Sequence, residues 1–372
     1  MGRKVKKVLF LINTLNGGGA EKVLTDTVNA LDRTKYQITV QTVTDSGVFK
    51  DRLAPHINYK SIVCVKNAFL KRLFTYIINF ILPPKLTHML FIGNGYDCET
   101  AFLEGVPTKI ISASPNKNAV KYTWVHTDLY NNIFGLEKVH RNIQNHIRCY
   151  KRFDKIICVS ESVKEAFIRR FGYMDNLTVK YNVVNDRAIK EKAMEAVEHS
   201  DKMQVVTVGR TEYLKGFDRL LKIHKRLTDE GFDYELVIVG DGSQRAELEE
   251  YTKQNSLFDS VKFIGFTDNP YKYMRNADLI VYPSRTEGYS TVAVEAVILG
   301  KPVVAADCSG MKEIFGNSEY GLVTDNDDEA FYRGMRKMLS DNELREAYSQ
   351  KAKIRSKDFS MSARIKELED LF

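Results

Sequence analysis

Two glutamates eight positions apart, Glu287 and Glu295, bracket the run Gly288-Tyr289-Ser290-Thr291-Val-Ala-Val, where a strand-like stretch ending at Pro283 gives way to a helix-like one. Ser290 is a good N-cap for a helix over 291–299, and Gly300 with Pro302 stops it. The free backbone N–H groups at such a helix start attract phosphate oxygens. Carboxylates on either side cannot bind phosphate, but they accept hydrogen bonds from hydroxyls. The pattern therefore suits a nucleotide sugar, with phosphate in the middle and hydroxyl-rich sugars at both ends. Alone, it has an ordinary alternative: chance spacing, with Glu295 on a solvated helix face.

Other segments carry related chemistry. Gly209-Arg210-Thr-Glu-Tyr-Leu-Lys215-Gly216 follows a predicted strand over 204–208 and puts two cations on one strand-end loop, where they could neutralise a diphosphate or simply stand in solvent. Asn16-Gly17-Gly18-Gly19 follows the first predicted strand, but it lacks both the dinucleotide-binding glycine register and the Gly-Lys-Ser/Thr of an ATP loop. Its glycines either let backbone approach a ligand or make a tight turn. Trp124-Val-His126-Thr-Asp128 lies near another strand end; its histidine is structural, touches a sugar hydroxyl or helps an acceptor lose its proton. The run 69–82 is aromatic and branched, with Lys66, Lys71, Arg72 and Lys85 beside it, so it either packs in a core or lies in a membrane interface.

The elements that must position these groups alternate. Strands are predicted over 8–12, 36–43, 62–65, 108–113 and 155–159, and again over 204–208, 234–239, 261–264, 278–282 and 302–305, with helical segments between them. Strand–helix alternation of this kind implies parallel sheets covered by helices on both faces. The charged segment 183–203 reads as a crossover between two domains. The predicted domains are 1–183 and 184–355, with the terminal helical stretch 356–372 packing back on the first. Ligands of such sheets sit at the carboxyl ends of the strands.

Bulk properties restrict the function. The 372 residues suffice for two domains, with 44% apolar and 28% charged residues. The longest uncharged apolar run, 73–82, is far short of the roughly 20 residues of a bilayer-spanning helix. The five cysteines form no C-x-x-C pair and the seven histidines show no metal-ligand spacing, so neither a disulfide framework nor a metal is expected. Residues 1–182 carry 27 Lys and Arg against 14 Asp and Glu, whereas 183–372 carry 28 against 34. A basic first half suits an anionic surface; with no nucleic-acid motif present, a membrane leaflet is the expected partner and nucleic acid is not. The chain is expected to be cytoplasmic, with a peripheral membrane contact.

Taken together, these motifs resemble the family 4 retaining glycosyltransferases of the GT-B fold, particularly bacterial enzymes of cell-surface polysaccharide synthesis. The resemblance rests on Leu15-Asn-Gly-Gly-Gly-Ala-Glu21, Val208-Gly-Arg210 with Lys215-Gly216, Leu236-Val-Ile-Val-Gly-Asp-Gly242, Val261-Lys-Phe-Ile-Gly265, the paired glutamates, and Gly300-Lys-Pro-Val-Val-Ala305. It implies two doubly wound Rossmann-like domains facing across a cleft, the first for the acceptor and the second for the nucleotide sugar. It also implies roles: Arg210 and Lys215 on the diphosphate, Glu295 on the ribose, and Glu287 on the transferred sugar. Gly288, Tyr289, Ser290 and Thr291 would surround sugar and phosphate. Gly18 and Gly19 would approach from the first domain, His126 would stand near the reacting face, and Gly265 and Phe266 would seat the base. The implied reaction is metal-independent transfer, with retention, from a nucleotide sugar, expected to be a UDP-sugar, to a lipid-linked acceptor, with no cofactor. The alternatives are an epimerase or phosphorylase of similar fold and an inactive partner subunit.

Overall fold

Short buried runs separated by amphipathic segments leave the backbone one economical arrangement, strands side by side with helices returning over them. The computed structural model describes residues 5–131, 136–198 and 200–372. The chain divides into two compact units, Met1–Val183 with Arg364–Phe372, and Val184–Ala363.

In the first unit seven strands form one parallel sheet: β1 Lys6–Ile12, β2 Tyr36–Thr44, β3 Asn58–Val63, β4 Cys98–Ala101, β5 Val120–Val125, β6 Lys155–Cys158 and β7 Leu177–Val179. Their order is β3-β2-β1-β4-β5-β6-β7. Val8 pairs with Ile38 of β2 on one side and with Cys98 of β4 on the other, so the winding reverses at β1. Such a reversal opens a crevice at the carboxyl ends of the two central strands. The helix Gly19–Ala30 leaves β1 there and buries Val23, Leu24 and Val28. At the far end of the chain, the Tyr122 hydroxyl donates to the Leu371 carbonyl at 2.5 Å, and the Phe372 ring lies 5.8 Å from that of Tyr36 and 5.9 Å from that of Phe10.

The expected strand over 108–113 is instead the helix Val106–Ser112, and β4 lies before it. Gly105 turns the chain at φ 87° and Pro107 occupies the first helical turn, where a missing N–H costs nothing. All of this helix but Lys109 is buried, so periodicity could not separate a buried helix from a buried strand. β4 escaped notice for the opposite reason: Glu99 and Thr100 are fully buried in it. Glu99 is matched by the His88 imidazole at 2.9 Å and by the Asn116 amide at 3.1 Å. The run 69–82 forms the helix Ala68–Tyr76, capped by Asn67, and a π-helical turn Ile77–Ile81.

The second unit has six parallel strands, β8 Met203–Val208, β9 Tyr234–Val239, β10 Val261–Gly265, β11 Leu279–Tyr282, β12 Val303–Ala306 and β13 Leu322–Thr324, in the order β10-β9-β8-β11-β12-β13. Here the reversal falls between β8 and β11. Phe217, Leu220, Leu236, Leu279, Phe331 and Met335 belong to one buried apolar cluster over this sheet. Within the charged 183–203 segment, Asn185 caps a short helix, Asp186–Lys192.

Candidate active site

The loops leaving β8 and β11 meet at the reversal in the second unit. Gly216 ends the first loop at φ 69°, and a Cβ there would stand 2.1 Å from the Pro283 carbonyl oxygen. Only glycine permits that approach. Arg219, one turn into the helix Phe217–Asp229, is buried and donates to the Pro283 and Ser284 carbonyls at 2.6 and 3.1 Å and to the Asn326 side chain at 2.8 Å. Arg285 clamps Asp218 through two bonds of 2.6 and 2.7 Å and donates to the Tyr213 carbonyl. The two loops are thus tied by side chains from both.

This frame brings Lys215 to Glu287. The Lys215 ammonium lies 2.5 Å from Glu287 Oε1, and the Ser284 hydroxyl donates to the same oxygen at 2.8 Å. Glu287 Oε2 has no hydrogen bond among the described residues. Ser290 caps the helix Thr291–Ile298 by accepting from the Ala293 amide. Glu295 is 3% exposed on that helix, so the solvated-face alternative does not apply. Both glutamates act on one buried phenol: Tyr282 is held well above its ordinary pKa, first by burial, then by Glu295 and by Glu287. Gly310, at φ 81°, would put a Cβ 2.7 Å from the Gly288 carbonyl oxygen, and Tyr289 is buried beside it.

Arg210 is on the same loop but does not join this pair. It is exposed, and among the described residues its guanidinium makes no ion pair. Its charge reaches Glu212, whose carboxylate accepts from the Ser243 hydroxyl and amide and is held below its ordinary pKa chiefly by those bonds. The loop's backbone is fixed against β9: Gly209 donates to the Val239 carbonyl at 3.0 Å, and a Cβ on Gly240 would stand 1.9 Å from the Gly209 oxygen. Gly265 turns at φ 81° at the end of β10, followed by Phe266, 61% exposed.

In the first unit, Gly18 precedes the helix Gly19–Ala30 without a side-chain cap, and a Cβ on it would meet the Glu21 carboxylate at 2.2 Å. His126 leaves the end of β5. Its ring lies 5.0 Å from Phe102, and Nε2 is buried with no hydrogen-bond partner among the described residues. Burial lowers its pKa to about 4, so the ring is neutral at physiological pH. Its backbone is held by Glu104, a residue not singled out in the sequence, which accepts from the His126 and Thr127 amides at 2.6 and 2.8 Å. Asp128 turns away into its own loop, accepting from the Tyr130 and Asn131 amides. Among the described residues, no three His, Cys, Asp or Glu side chains gather to hold a metal.

Comparison with known proteins identifies the second unit and the fold. Residues 189–355 match the family described as glycosyl transferases group 1. Nearly all of the second unit is thus a glycosyl transferases group 1 region, and the whole chain has the two-domain GT-B fold. A Campylobacter jejuni relative, an N-acetylgalactosaminyltransferase acting on a diphospho-undecaprenol-linked saccharide, is 34% identical over 56% of this chain and 57% of its own length. The match thus spans little more than half of that relative. An uncharacterized Haemophilus influenzae glycosyltransferase is 25% identical over 98% of the chain and 99% of its own. The fold is shared with Anabaena HepE, solved with UDP and glucose, at 21% identity and a TM-score of 0.79 over 98% and 99% of the two chains. A sucrose-phosphate synthase of Thermosynechococcus elongatus has the same score at 19% identity, over 98% of each chain.

Besides Glu104, sequence reasoning missed Arg219, Ser284, Arg285 and Gly310. Ser284-Arg285 stands just before Glu287, and that proximity was the available signal; nothing local marks Arg219 or Gly310.

Proposed function

We propose that this chain transfers a sugar, with retention and without a metal, from a UDP-sugar to a hydroxyl of a lipid-linked glycan during cell-surface polysaccharide synthesis. The observation that carries the reading is the Lys215–Glu287 pair beside the Ser290-capped helix that bears Glu295. Lys215 and Arg210 supply positive charge for a diphosphate, and the helix start offers amides to its oxygens. Glu287 Oε2 is left to accept from a hydroxyl of the transferred sugar, and Glu295 accepts from the ribose. In the reaction, the bond between anomeric carbon and phosphate oxygen breaks as the acceptor oxygen bonds to that carbon on the same face. The acceptor proton passes to the departing phosphate oxygen. Lys215 stabilises charge as it builds on that oxygen. Uridine is supported by the UDP bound to HepE, and a lipid-linked acceptor by the substrate of the Campylobacter relative.

The test is a panel of nucleotide sugars screened by thermal shift, then by transfer to a lipid-linked oligosaccharide. One UDP-sugar is expected to stabilise the protein most and to be consumed, with an α-linked product if its sugar is α-linked. Inverted product, or transfer that stops when metal is chelated, would overturn the mechanism. A panel that neither binds nor turns over would overturn the activity.

A further inference from the structure

The first unit holds a second group of cations that no carboxylate of the described residues answers. Lys109, on the helix Val106–Ser112, and Lys138 and Arg141, on and just after the helix Leu136–His140, line a groove of about 470 Å³ with Tyr76, Phe80 and Val139. Lys109 donates to the Asn79 carbonyl at 3.2 Å, while the Lys138 and Arg141 side chains have no hydrogen bond or ion pair among the described residues. The acid on that short helix, Glu137, is turned to Arg170 at 3.4 Å. Arg141 sits at φ 66°, a backbone region that non-glycine residues rarely hold. Burial and the charge of Arg141 together hold the Lys109 ammonium below its ordinary pKa. Like charges gathered without an acid repel, and a bound anion would reverse the sign of that term.

The groove's aromatic wall is one end of an apolar stripe. Phe69, Leu73, Tyr76 and Phe80 follow at helical spacing, so they share a face. Phe69 is 73% exposed, and Leu73 and Tyr76 are exposed too. Ile81, Met89 and Leu90 widen the exposed apolar surface across the π turn and the next helix, Pro84–Phe91. A contiguous patch of this kind marks a binding surface. Lys66, Arg72 and Lys85 flank it without ion pairs among the described residues, whereas Lys71 is tied to the Asp45 carbonyl.

We infer that the groove of Lys109, Lys138 and Arg141 takes the phosphate or diphosphate of a long-chain lipid whose apolar chain lies along Phe69, Leu73, Tyr76 and Phe80. Charge at one end and an uncharged stripe leading from it match an amphiphile with an anionic head. Phe69, Tyr76 and Phe80 could stack bases, but aliphatic Leu73, Ile81, Met89 and Leu90 interrupt them and the cations gather at one end instead of tracking a phosphate backbone, which favours an amphiphile over a nucleic acid. The inference rests on the lipid-linked acceptor proposed above and gives that acceptor a place on this chain.

Farnesyl diphosphate is a suitable probe, titrated against the full-length protein, with inorganic pyrophosphate, farnesol and a single-stranded oligonucleotide as competitors. Farnesyl diphosphate should bind, and Lys138→Gln with Arg141→Gln should weaken it about tenfold or more through loss of charge-assisted contacts. The same variant should keep the wild-type thermal shift with UDP. Unchanged affinity in the variant would overturn the proposal; so would pyrophosphate or the oligonucleotide binding as tightly as the probe, or farnesol doing so. The competition arm uses only the wild-type chain and is independent of how the variant folds. Failure of UDP to bind, with charge-dependent probe binding intact, would instead count against the transferase reading and leave the groove assigned.

Discussion

Glu287 and Lys215 neutralise each other at 2.5 Å, so replacing either leaves the other as an uncompensated, partly buried charge. The proposed roles separate their effects. Lys215→Ala should weaken UDP and lower kcat/KM for transfer by about 100-fold or more, because it removes charge from the departing phosphate. Glu287→Gln keeps the volume and an acceptor oxygen for Ser284. It should leave UDP affinity within about threefold and lower kcat, since its loss falls on the sugar in the transition state. UDP titration alongside transfer kinetics distinguishes the two; equal loss of UDP affinity in both variants would place Glu287 on the phosphate.

At the scale of elements, the site depends on backbone approaches that side chains could not tolerate. Gly216→Ala combines a left-handed φ with a Cβ 2.1 Å from the Pro283 oxygen, so the loop leaving β8 must shift away from the loop leaving β11. It should cost about 1–3 kcal/mol and loosen the Lys215–Glu287 pair; denaturant unfolding and UDP binding should both weaken, and loss of stability alone would show that the loop shift spares the pair. Phe372→Ala tests a second element, the terminal segment against β1, β2 and β5. Three aromatic neighbours lie within 5.9 Å of that ring, and losing it should cost about 2–4 kcal/mol in the first unit. The alternation of these elements was legible because parallel strands buried on both faces read as short apolar runs. β4 was not, because its buried Glu99 draws its partners from residues 88 and 116. Likewise Glu287, Glu295 and Lys215 could be named from spacing and resemblance. The ion pair joins residues 72 positions apart, and no local pattern carries such a contact.

At the scale of the whole molecule, buried histidines make the two units respond differently to acid. In the first unit, burial is the leading cause that lowers His126 and His140 to about 4 and His146 to about 3; in the second, His224 falls to about 4. Each must stay neutral to remain folded. The stability it contributes is fully present above its unfolded pKa of 6.5 and is lost as pH falls through the folded value. Glu104 acts in the opposite sense: burial raises it from 4.5 to about 6, so it adds stability as pH falls through that interval. Between pH 6 and 4.5, therefore, the first unit loses the equivalent of about two net protons of linkage and the second about one. The difference of about one proton amounts to on the order of 2 kcal/mol of extra acid sensitivity in the first unit. The only tryptophan, Trp124, is buried in β5 and reports on this unit alone. Denaturant unfolding followed by its fluorescence should shift to lower denaturant between pH 6.5 and 4.5 more than unfolding followed by circular dichroism of the whole chain. His140→Phe with His146→Phe, which keeps the stacked rings at 3.7 Å aromatic while removing both titrations, should abolish most of that difference. An unchanged pH slope in the double variant would mean that the acid sensitivity arises elsewhere.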